Sequence, residues 1–312
     1  MKIGIVGFGS IGSRHYENIK KHTEDIAIFS NRTDCPEVPL IKNWKTFVAQ
    51  GPYDALFITN ETSKHAQTIK ECIKLKPRAL FIEKPLSHTS AGLRTLQKVL
   101  EKNKISSWVG YNFQFFAPFV RIKELLAKKE IGQVYYIRAA VGQDLSEWRK
   151  RDYRTTYSAK TKGGGGVMLD LVHDLNYPSW LLGEVLEAKA CVVKKISPLK
   201  IETEDFAESV LATKKGVMVS VHQDYVRRPG RRSLEIAGEK GSILWDSENS
   251  DLTITRGQKT TVQAVAVERN DMYRDEVAFF LAALERKKYF SNFAEGFRDI
   301  VLIEQLKKYA KR

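Results

Sequence analysis

The sequence predicts an α/β protein: a doubly wound parallel sheet at the N-terminus, followed by a second α/β domain built on a largely antiparallel sheet. Three observations carry that prediction. Short apolar runs alternate with helical patterns over the first half of the chain, a glycine-rich turn joins the first run to the first helical pattern, and beyond about residue 130 strand-like segments follow one another with short turns. Strands with almost no polar alternation are expected where helices cover both faces of a sheet. Strands that alternate are expected where only one face is covered.

In order, KIGIVG is a buried strand followed by a helix over about Ser10–Lys21, and IAIFS is a strand that leads into a polar loop. ALFITN precedes a helix from about Ser63, ALFIEK one over about Ser90–Glu101, and SWVGYN one over about Ala117–Lys128. Then come VYYIRAAVG, EAKACVVKKI, ESVLAT, VMVSVHQDYV, RSLEIAG, GSILWDS and DLTIT, with LATKKGVMVSV read as a hairpin tipped by Lys215 and Gly216. Residues 163–183 form the main helix of this part. The last stretch places Phe293, Phe297, Val301, Ile303 and Leu306 at helical spacing. The division expected is 1–115, 116–291, and a terminal helix over 292–312 that packs back across the domains.

A chain of 312 residues, 43% hydrophobic, is long enough for roughly two cored domains. Three irregularly spaced cysteines (Cys35, Cys72, Cys191) form neither a disulfide scaffold nor a metal framework, which points to a reducing cytoplasm and no metal. No apolar run approaches a membrane helix, and MKIGIVGFG is too short and glycine-rich for a signal peptide. The net charge of +14 favours anionic partners. Yet most lysines are scattered over helix surfaces, and only YVRRPGRR, residues 225–232, concentrates charge, without the interleaved aromatics of a nucleic-acid surface. Nucleic acid is therefore set aside as a partner.

The first chemical motif is GFGSIG, with Gly7, Gly9 and Gly12 in GxGxxG spacing between a strand and a helix. Gly7 permits the tight turn, Gly9 the approach of a pyrophosphate and Gly12 close helix–strand packing, with Ser10 and Ile11 opening the helix that faces the phosphates. After the second strand, where an NAD-binding chain usually carries an acid about 20 residues past the motif, this one has Ser30, Asn31 and Arg32, and no acid until Asp34. A guanidinium suits a 2′-phosphate. NADP is therefore preferred and NAD remains possible, Arg32 being otherwise a plain loop cation. Lys84, in IEKPL, closes the fourth strand at the edge where ligands gather in open α/β sheets. There it can hydrogen-bond a substrate hydroxyl and stabilise a developing alkoxide.

GFGSIG, TNETSKH at 59–65, EKP at 83–85, GYN at 110–112 and the glycine run before an Asp/His pair near residue 170 occur in one order. Together they resemble the Gfo/Idh/MocA oxidoreductases, over nearly the whole chain. The resemblance implies a Rossmann domain, a second domain with a large open sheet, and nicotinamide-dependent hydride transfer at a sugar or polyol carbon. It also implies a homodimer or homotetramer packed through that sheet. It makes Lys84 the lysine at nicotinamide and substrate, with Glu83 beside it at the cofactor, and puts Asn112 at the same pocket. Thr59, Asn60 and His65 become the loop along the cofactor, and His173 the proton-exchanging histidine.

On this reading KGGGGVMLDLVHDL lets backbone pass close to cofactor and substrate, and its helix presents Asp170 and His173 one turn apart. An imidazole near pKa ~6.5 suits proton exchange, and a neighbouring carboxylate would orient it. Taken without the resemblance, His173 reads first as a satisfied core histidine on an apolar helix. Many relatives space this pair by four positions rather than three, which leaves Asp170 open to another role such as capping. Residues 143–162 are dense in aromatic and basic side chains, and Trp148, Tyr153, Arg154 and Tyr157 are the candidate substrate contacts, with a surface excursion or dimer contact as the alternative. With YVRRPGRR, this loop resembles relatives that act on surface-glycan sugars and points to an amino sugar, sugar acid or nucleotide-linked sugar. The competing function is a non-catalytic dinucleotide-binding regulator of the same fold.

Overall fold

The computed structural model describes residues 1–33, 38–148 and 151–311. They cluster into two units, Met1–Tyr111 with Tyr273–Ile300, and Asn112–Met272 with Val301 onward.

In the first unit the chain runs β1 (Ile3–Val6), α1 (Ser10–Ile19), β2 (Ile26–Phe29), α2 (Trp44–Ala49), β3 (Ala55–Ile58), α3 (His65–Lys74), β4 (Ala79–Ile82), α4 (Leu93–Lys102) and β5 (Ser106–Val109). The sheet is wholly parallel, in the order β2-β1-β3-β4-β5. β1, β3 and β4 are buried at every position, as their unbroken apolar runs require. The polar loop expected after β2 contains the short helix α2, whose first turn is capped by Asn43 accepting from the N–H groups of Lys45 and Thr46.

The second unit contains α5 (Ala117–Ala127), β6 (Val134–Gly142), α6 (Val167–Asp170), α7 (His173–Leu182), β7 (Leu186–Lys194), β8 (Phe206–Thr213), β9 (Met218–Asp224), β10 (Arg231–Gly238), β11 (Gly241–Asp246), β12 (Leu252–Arg256) and β13 (Lys259–Gln263). Eight strands lie in the order β13-β12-β11-β10-β6-β9-β8-β7, antiparallel except for the β6–β9 pair. Alternation aims Ile137, Val219, Val221, Leu234, Ile236, Ile243 and Ile254 into the core, while Val192, Met218, Leu244 and Val262 stay exposed on the other face. β13 has no counterpart among the strands expected from sequence, because its polar KTTVQ lies at the sheet edge.

Two helices follow, α8 (Asp271–Glu285) and α9 (Phe293–Tyr309). Val277, Phe280, Leu281 and Leu284 of α8 are buried with Ile3, Ile5, Phe57 and Phe81, so residues 273–300 cluster with the first unit. The boundary between the units falls inside α9. A linear division of the sequence does not anticipate this return. Asn292 completes it by accepting from the N–H of Val109 at 2.6 Å and donating to its carbonyl at 3.1 Å, which satisfies the free edge of β5. No helix among the described residues is long and apolar enough to cross a membrane.

On the exposed face of the large sheet, His222 lies 2.7 Å from Glu208 and 2.9 Å from Asp224. Hydrogen bonds from the ring to Asp224 and Glu208 raise its pKa to about 9. An imidazolium favoured by folding stabilises fully below the unfolded value near 6.5, and the contribution fades as pH rises towards 9. The thermal midpoint of the protein is therefore expected to fall between those pH values, and His222→Gln to flatten that fall. Parallel melting curves across the same range would remove this role.

Candidate active site

In the first unit the candidate side chains gather at the carboxyl ends of β1 to β4. Gly7 has a φ of +103°, and a Cβ there would sit 2.6 Å from the Asn60 nitrogen. At Gly12 a Cβ would sit 2.4 Å from the Gly7 carbonyl, so both positions are closed to a side chain. Gly9 differs: a Cβ added there meets nothing within 4 Å among the described residues. It is the N-cap of α1 and offers no side-chain cap, so the first N–H groups of the helix, at Ser10 and Ile11, border open space. A helix N-terminus beside an empty approach fits a pyrophosphate. Thr59 Oγ1 donates to the Gly7 carbonyl at 2.6 Å and pins the turn to the end of β3.

The loop after β2 folds onto this turn. Ser30 is buried, its Oγ accepts from the Arg32 N–H at 3.2 Å, and Arg32 Nη1 donates to the Phe8 carbonyl at 2.8 Å. Asn31 is exposed. Asp34, the first acid of the loop, and Cys35 lie outside the described residues.

Asn60 donates to Thr68 Oγ1 at 2.7 Å, and its buried Oδ1 finds no hydrogen-bond partner among the described residues. His65, 1% exposed, contacts the Pro85 carbonyl through Nδ1 at 2.9 Å and the Asn60 carbonyl through Nε2 at 3.1 Å. Burial pushes its pKa below the ordinary value, and a neutral ring has one N–H to give to these two carbonyls. The imidazole is consumed within the chain and ties the loop after β3 to the loop after β4. Glu83, at the end of β4, accepts the backbone N–H of Lys84 at 3.1 Å, and Lys84 is partly exposed.

The second unit holds the Asp/His segment. The expected single helix is broken: α6 ends at Asp170 and α7 begins at His173, with Leu171 and Val172 in a tighter turn. β9 and the residue after it determine the break. Gln223 donates to the Leu171 carbonyl at 2.7 Å, and the Tyr225 hydroxyl donates to Asp170 Oδ2 at 2.6 Å. These two partners, two positions apart on one strand face, seat the turn between the carboxylate and the histidine. Burial beside Asp170 pushes the Tyr225 phenol well up, so it remains a donor.

His173, 7% exposed, packs its ring 4.9 Å from Phe113. Asn112 is buried beside Phe113 in sequence, and its Oδ1 has no hydrogen-bond partner among the described residues. The Arg232 guanidinium lies over the Phe113 ring, 4.4 Å from its centroid, and pairs with Asp174 through two bonds of 3.0 Å. Tyr177 also donates to Asp174, at 2.7 Å. The residue after the histidine is thereby locked in place.

Within this unit the glycine run serves packing. A Cβ on Gly165 would meet the Tyr157 carbonyl at 2.3 Å, and one on Gly166, whose φ is +119°, would meet Glu204 at 2.5 Å. The glycines let α6 begin directly against the 157–158 backbone and Glu204.

Of the loop candidates, Trp148 stands edge-on to Tyr225 at 5.1 Å and so reaches the Asp170 group. Tyr157 lies near enough to the same phenol to help hold its proton. Tyr153 accepts from the Lys200 N–H at 3.1 Å, and exposed Arg154 pairs with Asp152 at 2.6 Å. YVRRPGRR is largely neutralised: Arg228 pairs with Asp144 and Glu147, Arg231 with Asp246, and Arg232 with Asp174. Sequence reasoning missed Gln223, Tyr225, Asp174 and Arg232. The charge run was the only visible signal, and its partners lie far away in the sequence.

Comparison with known proteins follows the same division. A family model described as "Oxidoreductase family, NAD-binding Rossmann fold" matches residues 1–111, and one described as "GFO/IDH/MocA C-terminal domain" matches residues 119–244. Among curated relatives, the chain is 26% identical to myo-inositol 2-dehydrogenase of Thermotoga maritima, over 100% of this chain and 87% of that protein. Among solved structures it resembles UDP-N-acetylglucosamine 3-dehydrogenase from Acidithiobacillus ferrooxidans, with TM-score 0.82 and 17% identity over 100% of this chain and 98% of the other. It also resembles levoglucosan dehydrogenase in complex with NADH and levoglucosan, with TM-score 0.86 and 16% identity over 100% and 97%. At those identities the two structures show a shared fold.

Proposed function

The chain belongs to the Gfo/Idh/MocA oxidoreductase family, and from that premise we propose that it is a cytoplasmic dehydrogenase or reductase acting on a sugar derivative. The observation that carries the reading is the match of both halves to this family, which supports the open approach at Gly9 as the seat of a dinucleotide. Gly7, Gly9, Ser10, Ile11, Gly12, Thr59 and Asn60 would hold it. When bound, the dinucleotide supplies the nicotinamide carbon that gives or receives hydride.

In the proposal Lys84 donates a hydrogen bond to the reacting oxygen and stabilises its developing negative charge. His173 takes the hydroxyl proton in oxidation and returns it in reduction. Asp170, held by Tyr225, steadies the turn that carries the histidine. Trp148 and Tyr157 offer aromatic faces to the sugar, whereas Tyr153 and Arg154, occupied elsewhere, are the weaker contacts. Relatives that act on myo-inositol and on a nucleotide-linked sugar support a polyol, amino sugar, sugar acid or nucleotide sugar as substrate. The exposed apolar side chains on the open sheet face support a homodimer or homotetramer formed through that face.

The test is to incubate the protein with NADH or NADPH and a panel of keto-inositols, keto-sugars and UDP-linked keto-sugars, and to follow loss of reduced nicotinamide. Consumption with at least one member supports the reading. Dinucleotide binding without consumption across the panel, and across the corresponding alcohols with oxidised cofactor, would replace it with a regulator.

NADP(H) is proposed as the preferred cofactor, because Arg32 lies against the glycine turn through Phe8 and can meet a 2′-phosphate there. Arg32→Ala is expected to weaken NADPH about tenfold or more and NADH by less than about threefold, as measured by calorimetry. Equal losses would leave Arg32 as a brace of the loop alone.

A further inference from the structure

We infer that His15 and Glu83 form a buried positioning pair that sets the backbone at Lys84, and through it the grip on the nicotinamide end of the dinucleotide. The inference rests on the proposed function. His15 lies on α1 and is fully buried among Phe57, Phe81 and Tyr273, with ring centroids at 5.6, 4.8 and 6.5 Å. Its Nε2 sits 2.6 Å from Glu83 Oε1, a short hydrogen bond. Nδ1 has no hydrogen-bond partner among the described residues, so the ring's polar contact is with Glu83 alone. The second oxygen of Glu83 accepts the Lys84 N–H. One carboxylate therefore bridges an interior imidazole to the backbone of the proposed active-site lysine.

The surroundings are built around this bridge. Gly110 leaves room for the carboxylate, since a Cβ there would lie 3.2 Å from Glu83 Oε1. Glu276, fully buried, is pushed well up by burial and by the negative charge of Glu83, and takes the Trp108 Nε1–H at 2.9 Å. His65 holds the Pro85 carbonyl from the other side. Two histidines on separate helices thus clamp residues 83–85. A wholly aromatic filling would pack this space without burying an ionisable pair, so packing alone does not call for His15.

The same helix that carries His15 also presents its N-terminal N–H groups at Gly9. Through α1, the phosphate seat and the Lys84 segment become one mechanical body, and the pair transmits its placement from one end of the dinucleotide to the other.

The experiment compares binding of NADH with binding of ADP-ribose, which keeps the phosphates but lacks nicotinamide. Both are titrated calorimetrically against the wild type, Lys84→Met, His15→Phe, His15→Gln and Glu83→Gln. Gln at 83 can accept the Lys84 N–H on its one oxygen only by turning its amide N–H towards His15, which moves the ring proton to Nδ1, where no partner waits among the described residues. Lys84→Met, His15→Phe and Glu83→Gln are each expected to weaken NADH about tenfold while ADP-ribose stays within about twofold. His15→Gln, which keeps a donor, is expected to remain within about threefold of wild type for both. If Lys84→Met discriminates between the ligands and His15→Phe does not, the positioning pair is wrong and the Lys84 reading survives. Equal loss of both ligands in His15→Phe makes His15 structural only and also overturns the pair. If Lys84→Met fails to discriminate, the reading of Lys84 itself falls. Should His15→Phe not fold, isosteric Glu83→Gln decides by the same comparison.

Discussion

His173→Ala is expected to lower turnover about 10²- to 10⁴-fold while leaving NADH affinity within about twofold, because it removes a proton-transfer group without touching the dinucleotide seat. The side chain is buried at the first residue of α7, against Phe113. Its neighbour Asp174 is held by Arg232 and Tyr177 independently of the imidazole, so the truncation leaves the helix start anchored. With the best substrate of the panel, kcat is the quantity to measure, and NADH fluorescence titration supplies the control. Turnover within about threefold of wild type would return His173 to the role of a satisfied core histidine.

Gly9→Val is expected to raise the NADH dissociation constant by about 100-fold or more at an almost unchanged thermal midpoint. The reasoning is steric. Gly9 has φ −81° and ψ −166°, a conformation open to valine, and its Cβ direction is free of protein atoms. The side chain would therefore cost the fold little and would fill the space by which a pyrophosphate reaches the helix N-terminus. Gly7→Ala makes the contrasting control: there φ is +103° and the Asn60 nitrogen lies 2.6 Å from the new Cβ, so folding itself should suffer. Tight NADH binding by Gly9→Val would remove the glycine turn as the phosphate seat.

Much of the architecture was legible because it is written in local pattern. Unbroken apolar runs marked β1, β3 and β4, alternation marked the strands of the large sheet, and Lys215 and Gly216 marked the β8–β9 hairpin, where Gly216 has a φ of +88°. The return of residues 273–300 to the first unit was not legible. The apolar positions of α8 say that one face is buried, not which sheet buries it. The break between α6 and α7 was hidden for a related reason: VMLDLVHDL has helical periodicity throughout, and the interruption is imposed by Gln223 and Tyr225 from a strand.

The sequence by itself determined the two classes of sheet, the glycine turn at 7–12 and the placing of Lys84 at a strand end, since each depends on residues within a few positions of one another. Tertiary structure alone decided which polar groups meet. His15 finds Glu83 across 68 positions, Tyr225 finds Asp170 across 55, and Arg232 finds Asp174 across 58. Strand order and register set those meetings, and a hydrogen bond that forms only within about 3 Å cannot be read from a string until the sheet has brought its two ends together.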